Sequence, residues 1–232
     1  LFMSLFFKYL QISLHYTLTL LFVISYSVNF HSQNSFSGEL TYRITKINAN
    51  ELQAGFPNND IPAEEKMIIY AKDSLLKIVH FNSVNGIQES LQHLRLQKKI
   101  LLITVDSIQY AIQLPKESAS VGGDTSYHLK KKCFPRRRIG GVKGKPMALT
   151  HPMLKNSLQI WYAPKIESSY NAPYPEIPGL ALRYYIVSEK GLFLYELENF
   201  KRYDPPLALF KVPKDATVLP LHEFLEILKD TE

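Results

Sequence analysis

Residues 174–187 read YPEIPGLALRYYIV, and this stretch restricts the fold more than any other in the chain. Pro175 and Pro178 fix φ and remove two backbone donors, Gly179 allows the positive φ of a tight turn, and a strand-like run follows at once. Within that run Leu180, Leu182, Tyr184 and Ile186 share one face, while Ala181, Arg183, Tyr185 and Val187 share the other. Both faces call for cover, so the pattern predicts a central strand delivered into the core by a Pro-Gly turn.

The same period of two recurs along the chain. From Phe36 onward Leu40, Tyr42 and Ile44 alternate with Thr41, Arg43 and Thr45. Residues 67–71 and 75–81 predict a hairpin about Lys72, Asp73 and Ser74, with a further turn at Asn85 and Gly86. Residues 91–96, 100–105 and 107–114 follow as strands, separated by Lys98 with Lys99 and by Asp106. Short strands joined by local turns make an antiparallel meander. Residues 158–162 form another strand, and later Phe193, Tyr195 and Leu197 alternate with Leu194, Glu196 and Glu198 before a turn at Asp204, Pro205 and Pro206. Leu221, Phe224, Leu225 and Leu228 recur at helical spacing behind Pro220, which predicts a C-terminal amphipathic helix. Residues 48–64, with Leu52 and Phe56 as anchors, and residues 115–124 read as loops. The supply of 14 Tyr and 13 Phe beside one Trp favours strands over a helical bundle. The expected class is β-rich α+β: a curved antiparallel sheet with a few short helices. A packed core and a cavity for an apolar ligand are both open to such a sheet.

Residues 1–32 read as a targeting segment. Residues 18–24 are apolar except Thr19, Lys8 is the sole charge before them, and Ser25, Ser27 and Ser32 follow. Cleavage after Ser27 or after Ser32 fits this pattern, and an uncleaved membrane anchor is the competing reading, although Gln11, Ser13, His15 and Thr17 interrupt it. Residues 33–232 then form a single domain, whose 46% hydrophobic composition supports one sizeable core. Loss of Lys8 with the segment lowers the formal charge of +6 to +5. Cys133 is the sole cysteine, so these residues form no internal disulfide; it reads as a small buried apolar residue or, alternatively, a reactive thiol.

The remaining positive charge is local. Lys130, Lys131, Lys132, Arg136, Arg137 and Arg138, followed by Lys143 and Lys145, surround Cys133, Phe134 and the Gly140-Gly141 pair. They read either as a surface for anionic lipid head groups or another polyanion, or as a solvated hairpin whose charges protect a sheet edge. No recognition helix or aromatic stacking signature accompanies them, so nucleic acid is not an expected partner. His80, His93, His128, His151 and His222 show no metal-ligand spacing, and nucleophile elbows, phosphate loops and cysteine-protease motifs are absent. Asp60, Glu64 and Glu65 are read as solvated carboxylates of a polar loop. The expectation is no enzyme, no metal and no cofactor.

IPGLAL at residues 177–182 resembles the motif of the GLPGLI family of exported Bacteroidetes proteins. FSGELTYRI, the IGG at 139–141, LQIWYAPKI and FKVPKDATVLP look like further landmarks, so the resemblance spans residues 36–228. Glu176 and Ala181 replace two motif residues, and Gly144 and Lys145 stand where a Cys is expected after IGG. The resemblance implies a half-barrel similar to the LolA/LolB lipoprotein-carrier fold, exported to the periplasm or cell envelope, with the extracellular space as a second location. The role it implies is uncharacterised; the expected half-barrel and the aromatic supply point to non-catalytic binding or carrying of a lipid-like or hydrophobic ligand. The alternative is an envelope structural or interaction protein that uses its basic surface to meet a protein partner or the anionic membrane surface.

Overall fold

The computed structural model describes residues 35–47, 65–82, 86–105, 107–115, 126–132, 135–188 and 191–230. The expected targeting segment, the loop 48–64, Cys133 and most of the loop 115–124 lie outside them. The first strands are β1 (Gly38–Ile47), β2 (Glu65–Lys72), β3 (Leu75–Asn82), β4 (Gly86–His93), β5 (Lys98–Val105) and β6 (Ile108–Leu114). They are followed by β7 (His128–Lys131), β8 (Arg137–Ile139), β9 (Val142–Thr150), β10 (Leu158–Ala163), β11 (Leu180–Ser188), β12 (Gly191–Arg202), β13 (Thr217–Pro220) and helix α1 (Leu221–Asp230). Short 3-10 helices at Ser168–Tyr170 and Leu207–Phe210 are the remaining helical pieces among the described residues, compatible with the expected few short helices and a C-terminal one.

All strands join one curved, unclosed sheet in the order β13-β6-β5-β4-β3-β2-β1-β12-β11-β10-β9-β7, with β8 also on β9. The pairings are antiparallel except β13 on β6, which is parallel. As the Pro-Gly turn predicts, β11 is central, between β10 and β12. Its Leu180, Leu182 and Tyr184 are buried on one side and Ala181 on the other. β1 is central as well: Leu40, Tyr42 and Ile44 face the core, and the register slips between Thr41 and Tyr42, where Glu198 of β12 is the extra residue.

The packed face is covered by the connection 164–179. Tyr170 in that connection accepts the Phe36 N–H (2.8 Å) and donates to the Asp73 carbonyl (3.0 Å). Tyr174 donates to the Tyr185 carbonyl. Beneath it the Tyr42 hydroxyl donates to the Ala181 carbonyl at 2.7 Å, and the Tyr184 and Tyr195 rings stack at 4.8 Å. A buried hydroxyl is tolerated only with a partner: Tyr42, Tyr170 and Tyr174 find theirs on main-chain carbonyls and Tyr184 on the Asn171 side chain. The opposite face carries charge: Glu39 meets Lys201 at 3.6 Å, Lys77 meets Glu89 at 2.9 Å, and Arg183 Nε lies 3.1 Å from Glu196 Oε2 without hydrogen-bond alignment. Such half-exposed pairs contribute less than about 1 kcal/mol each, so burial of the packed face holds the sheet.

At the β6 end the chain wraps around the sheet. After β12, Lys72 holds Asp204 (2.6 Å) and the Pro205 carbonyl (3.1 Å), and Val212 and Ala216 pack on Leu91, Leu102 and Ala111. β13 then lines the edge, and α1 places Phe224 against Tyr110, Ile112 and Leu219 on the other face. Cover on both faces explains why β5 and β6 read as nearly continuous apolar runs.

Several boundaries differ from the sequence pattern. β4 starts at Gly86 and ends at His93, because its polar first half is held by the ladder to β3 and not by apolar side chains. Lys98 and Lys99 belong to β5; the turn before them is made by residues 94–97, with Gln97 at φ 51°. β9 and β13 have no counterpart in the expected strands: Pro146 and the flanking cations hide the first, and the second is only Thr217–Pro220. Leu225, expected in the apolar stripe of α1, is 47% exposed, because the helix meets the sheet only along Leu221 and Phe224 among its described side chains.

Gly179 sits at φ 150°, where a Cβ would lie 2.3 Å from the Ala163 carbonyl oxygen, itself backbone that cannot swing aside. Gly141 has φ 80° but open space around it. Gly179→Ala is therefore expected to destabilise the domain by about 3 kcal/mol or more, and Gly141→Ala by only about 1 kcal/mol. Urea denaturation of the two variants beside the parent checks the difference.

Candidate functional site

The expected basic stretch divides between β7, the end strand of the sheet among the described residues, and the β8–β9 hairpin, whose Gly140 turn lies against Leu197 of β12. Ile139 pairs with Val142 across a two-residue turn in which Gly140 and Gly141 both have positive φ (54° and 80°), the requirement of a type I′ hairpin. β7 and β8 both pair with β9: the β7 ladder ends at Lys131 opposite Met147, and the β8 ladder starts at Arg137 opposite Gly144. Between them β9 advances through Lys145 and Pro146 alone, while the edge must accommodate residues 132–136. Pro146 has no N–H to offer a ladder at this break.

Lys130, Lys131, Lys132, Arg136, Arg137 and Arg138 are all exposed on this edge. Among the described residues, no carboxylate lies within 4.0 Å of Lys130, Lys131, Arg136 or Arg137, while Arg138 Nη1 bonds the Gly141 carbonyl at 3.0 Å within its own hairpin. Lys132 and Pro135 also wall a cleft of about 380 Å³, with Ala148, Leu158, Gln159 and Trp161. Trp161 is 6% exposed and forms the floor. A cationic rim around an apolar floor suits an anionic group attached to something apolar. The same edge lysines hinder strand-to-strand aggregation.

Other titratable groups are drawn into structural pairs. His80 Nε2 lies 3.2 Å from Glu65 Oε2 without hydrogen-bond alignment, and Asn82 Nδ2 donates to Glu65 Oε1 at 2.8 Å. Thus Glu65 lies in β2, not in the polar loop; Asp60 and Glu64 are outside the described residues. His151 is buried, takes the Met153 N–H on Nδ1 at 3.1 Å, and has Ser126 Oγ 2.9 Å from Nε2. With Nδ1 accepting, the neutral ring carries its proton on Nε2 and donates to Ser126; it cannot also take the serine proton, so this contact lacks the polarity of an activated nucleophile. Among the described residues no group of three or more His, Cys, Asp or Glu could hold a metal ion, and no helix is long and apolar enough to cross a membrane.

Sequence reasoning missed the tether between this edge and the Pro-Gly turn. Tyr127, just before β7, donates to Glu176 Oε2 at 2.6 Å and packs its ring 4.5 Å from Tyr174. Glu176, one of the departures from the motif, is thus a ligand for the edge, and its position within YPEIPG was the available signal. Burial, then the hydrogen bond and charge of Glu176, push the Tyr127 hydroxyl up to about 12. The raised value favours the protonated phenol, so the tether's contribution is complete below the ordinary tyrosine value and is lost as pH rises through about 12. Burial raises other tyrosines too, so the test is a difference ultraviolet titration of the parent against Tyr127→Phe, which is expected to isolate one late ionisation that moves toward the ordinary value in Glu176→Gln.

No family model and no curated protein matches the sequence. Among solved structures, the chain is similar to the complex structure of Pseudomonas aeruginosa MucA/MucB, with 10% identity and a TM-score of 0.39 over 82% of this chain and 59% of that one. It is also similar to the crystal structure of MucB in complex with MucA(peri), with 10% identity and a TM-score of 0.36 over 78% of this chain and 57% of that one. The chain therefore spans less than two thirds of the length of either structure it matches.

Proposed function

We propose that this chain is a non-catalytic interaction protein of the cell envelope, which meets an anionic partner through its cationic sheet edge. The observation that carries this reading is the cationic stretch of β7 and β8: exposed cations, several without a carboxylate neighbour among the described residues, beside an apolar-floored cleft. The envelope location is supported by the apolar segment before residue 33 and by the family resemblance, whose IGG and Pro-Gly elements form real turns here. The inverted polarity of the Ser126–His151 contact supports the non-catalytic part.

Carrying a lipid-like ligand within the half-barrel draws less support. Phe36, Tyr42, Tyr170 and Tyr184, the aromatic residues that would line such a cavity, are at most 3% exposed and pack on one another or bond to the main chain. They fill the space a guest would need.

Replacing Arg136, Arg137 and Arg138 with Ser is expected to weaken association with native envelope fractions about a hundredfold at low salt, at roughly 1 kcal/mol per cation near an anionic surface. The remaining association should depend much less on salt. Sedimentation with envelope fractions, with protease-stripped fractions and with vesicles containing phosphatidylglycerol separates a protein partner from anionic lipid. Unchanged association in the folded triple variant overturns the reading.

A further inference from the structure

The sheet contains an opening far from the cationic edge. β4 and β5 are paired from His93 opposite Lys98 to Glu89 opposite Leu102, and there their ladder stops. Neither strand ends at that point. β4 runs on to Gly86 along β3, reaching Asn82, and β5 runs on to Val105 along β6, reaching Ile108. Residues 86–88 and 103–105 therefore keep their outer neighbours and diverge from each other. The wedge between them is a cleft of about 520 Å³ lined by Ile87, Gln88, Leu101, Ile103, Thr104 and Gln109.

A strand inside a sheet needs a ladder on both sides, because its N–H and C=O groups point alternately to its two neighbours. At the wedge, each wall has lost its ladder on the side that faces the other. The main-chain groups turned inward have no backbone partner among the described residues. The side chains around the opening are neutral or already neutralised: Glu89 is held by Lys77 at 2.9 Å, and Gln88, Thr104 and Gln109 are uncharged. Ile87 is 64% exposed at the mouth, with Leu101 and Ile103 on the side where α1 packs.

We infer that this wedge binds an extended, uncharged segment of a partner polypeptide, about three residues deep, which completes the sheet between β4 and β5. A peptide main chain carries donors and acceptors on both of its edges at the strand repeat, so it can bond both walls at once. A lipid tail or a sugar lacks that repeat. Alternating side chains of the inserted segment would fall next to Ile103 on one face and next to Ile87 and Thr104 on the other, which selects β-branched or other apolar residues. Charge plays no part, so the site differs in kind from the cationic edge, and six strands separate β4 from β9.

The test uses the isotope-labelled full chain and a capped pentapeptide of alternating Thr and Val. Before addition, the inward amides of Ile87 and Thr104 should exchange with solvent faster than those in the β2–β3 ladder. The peptide should bind with a dissociation constant below about 1 mM, shifting the amides of residues 86–89 and 101–104. Methylating its three central amide nitrogens, which preserves composition but removes donors, should weaken binding about tenfold or more. Ile87→Asp, at an exposed position that the fold tolerates, should weaken it similarly while the salt-sensitive envelope association stays intact. Equal binding of plain and methylated peptides, no binding of the plain peptide, slow exchange at the wedge amides, or occupation of the wedge by a second copy as concentration rises would each overturn the inference.

Discussion

The Tyr170 hydroxyl accepts the Phe36 N–H and donates to the Asp73 carbonyl, so one side chain on the connection 164–179 ties the lead-in to β1 to the β2–β3 turn. That connection is the lid of the packed face. It reaches its place because Gly179 lets the backbone pass against Ala163, at a distance no Cβ would allow. Beneath it, Tyr42 extends from β1 across β12 to the Ala181 carbonyl, where burial drives its pKa strongly upward and keeps the hydroxyl a donor. Apolar burial supplies the energy, and the tyrosine hydroxyls fix where each layer sits, since each would lose about 1–3 kcal/mol if left buried and unpaired.

The two ends of the sheet solve the edge problem differently. At the β6 end the chain covers itself, with residues 203–216 on one face, β13 along the edge and α1 on the other face. At the β7 end there is no such cover among the described residues, and the edge is instead short, interrupted opposite Pro146 and cationic. Charge and irregularity discourage pairing with another strand, yet they leave a surface that an anionic partner can use. One device thus accounts for solubility of the edge and for the interaction assigned to it. The tether from Tyr127 to Glu176 links this edge to the lid, so the surface is anchored to the core and not simply appended to it.

The legible parts of the fold were those whose signals are local. The hairpin about Asp73 and Ser74, the alternation of β1 and the two-faced run of β11 could be read because period two and turn chemistry survive in any context. β4 was misplaced because Gly86, Ile87, Gln88 and Glu89 are held by main-chain pairing to β3, which leaves no apolar trace. β13 lies beside a strand about a hundred residues earlier in the chain, so its parallel pairing has no neighbouring turn to announce it. Leu225 matched the helical spacing, but the helix spans too little of the sheet to bury it. The cations of the edge were countable in advance; the placement of Lys132 beside a cleft floored by Trp161 was not.

The sequence by itself determined the local geometry: where Pro and Gly turn the chain, which residues share a strand face, how many cations gather between Lys130 and Lys145, and which motif the Pro-Gly turn resembles. Only the tertiary structure decided that Glu176 meets Tyr127, that His151 donates to Ser126, that tyrosines fill the packed face, and that β4 and β5 separate beyond Glu89 and Leu102. The reason is physical. Turn chemistry and alternation follow from a residue and its immediate neighbours, whereas partner choice across a thirteen-stranded sheet follows from packing and loop closure between segments far apart in the chain.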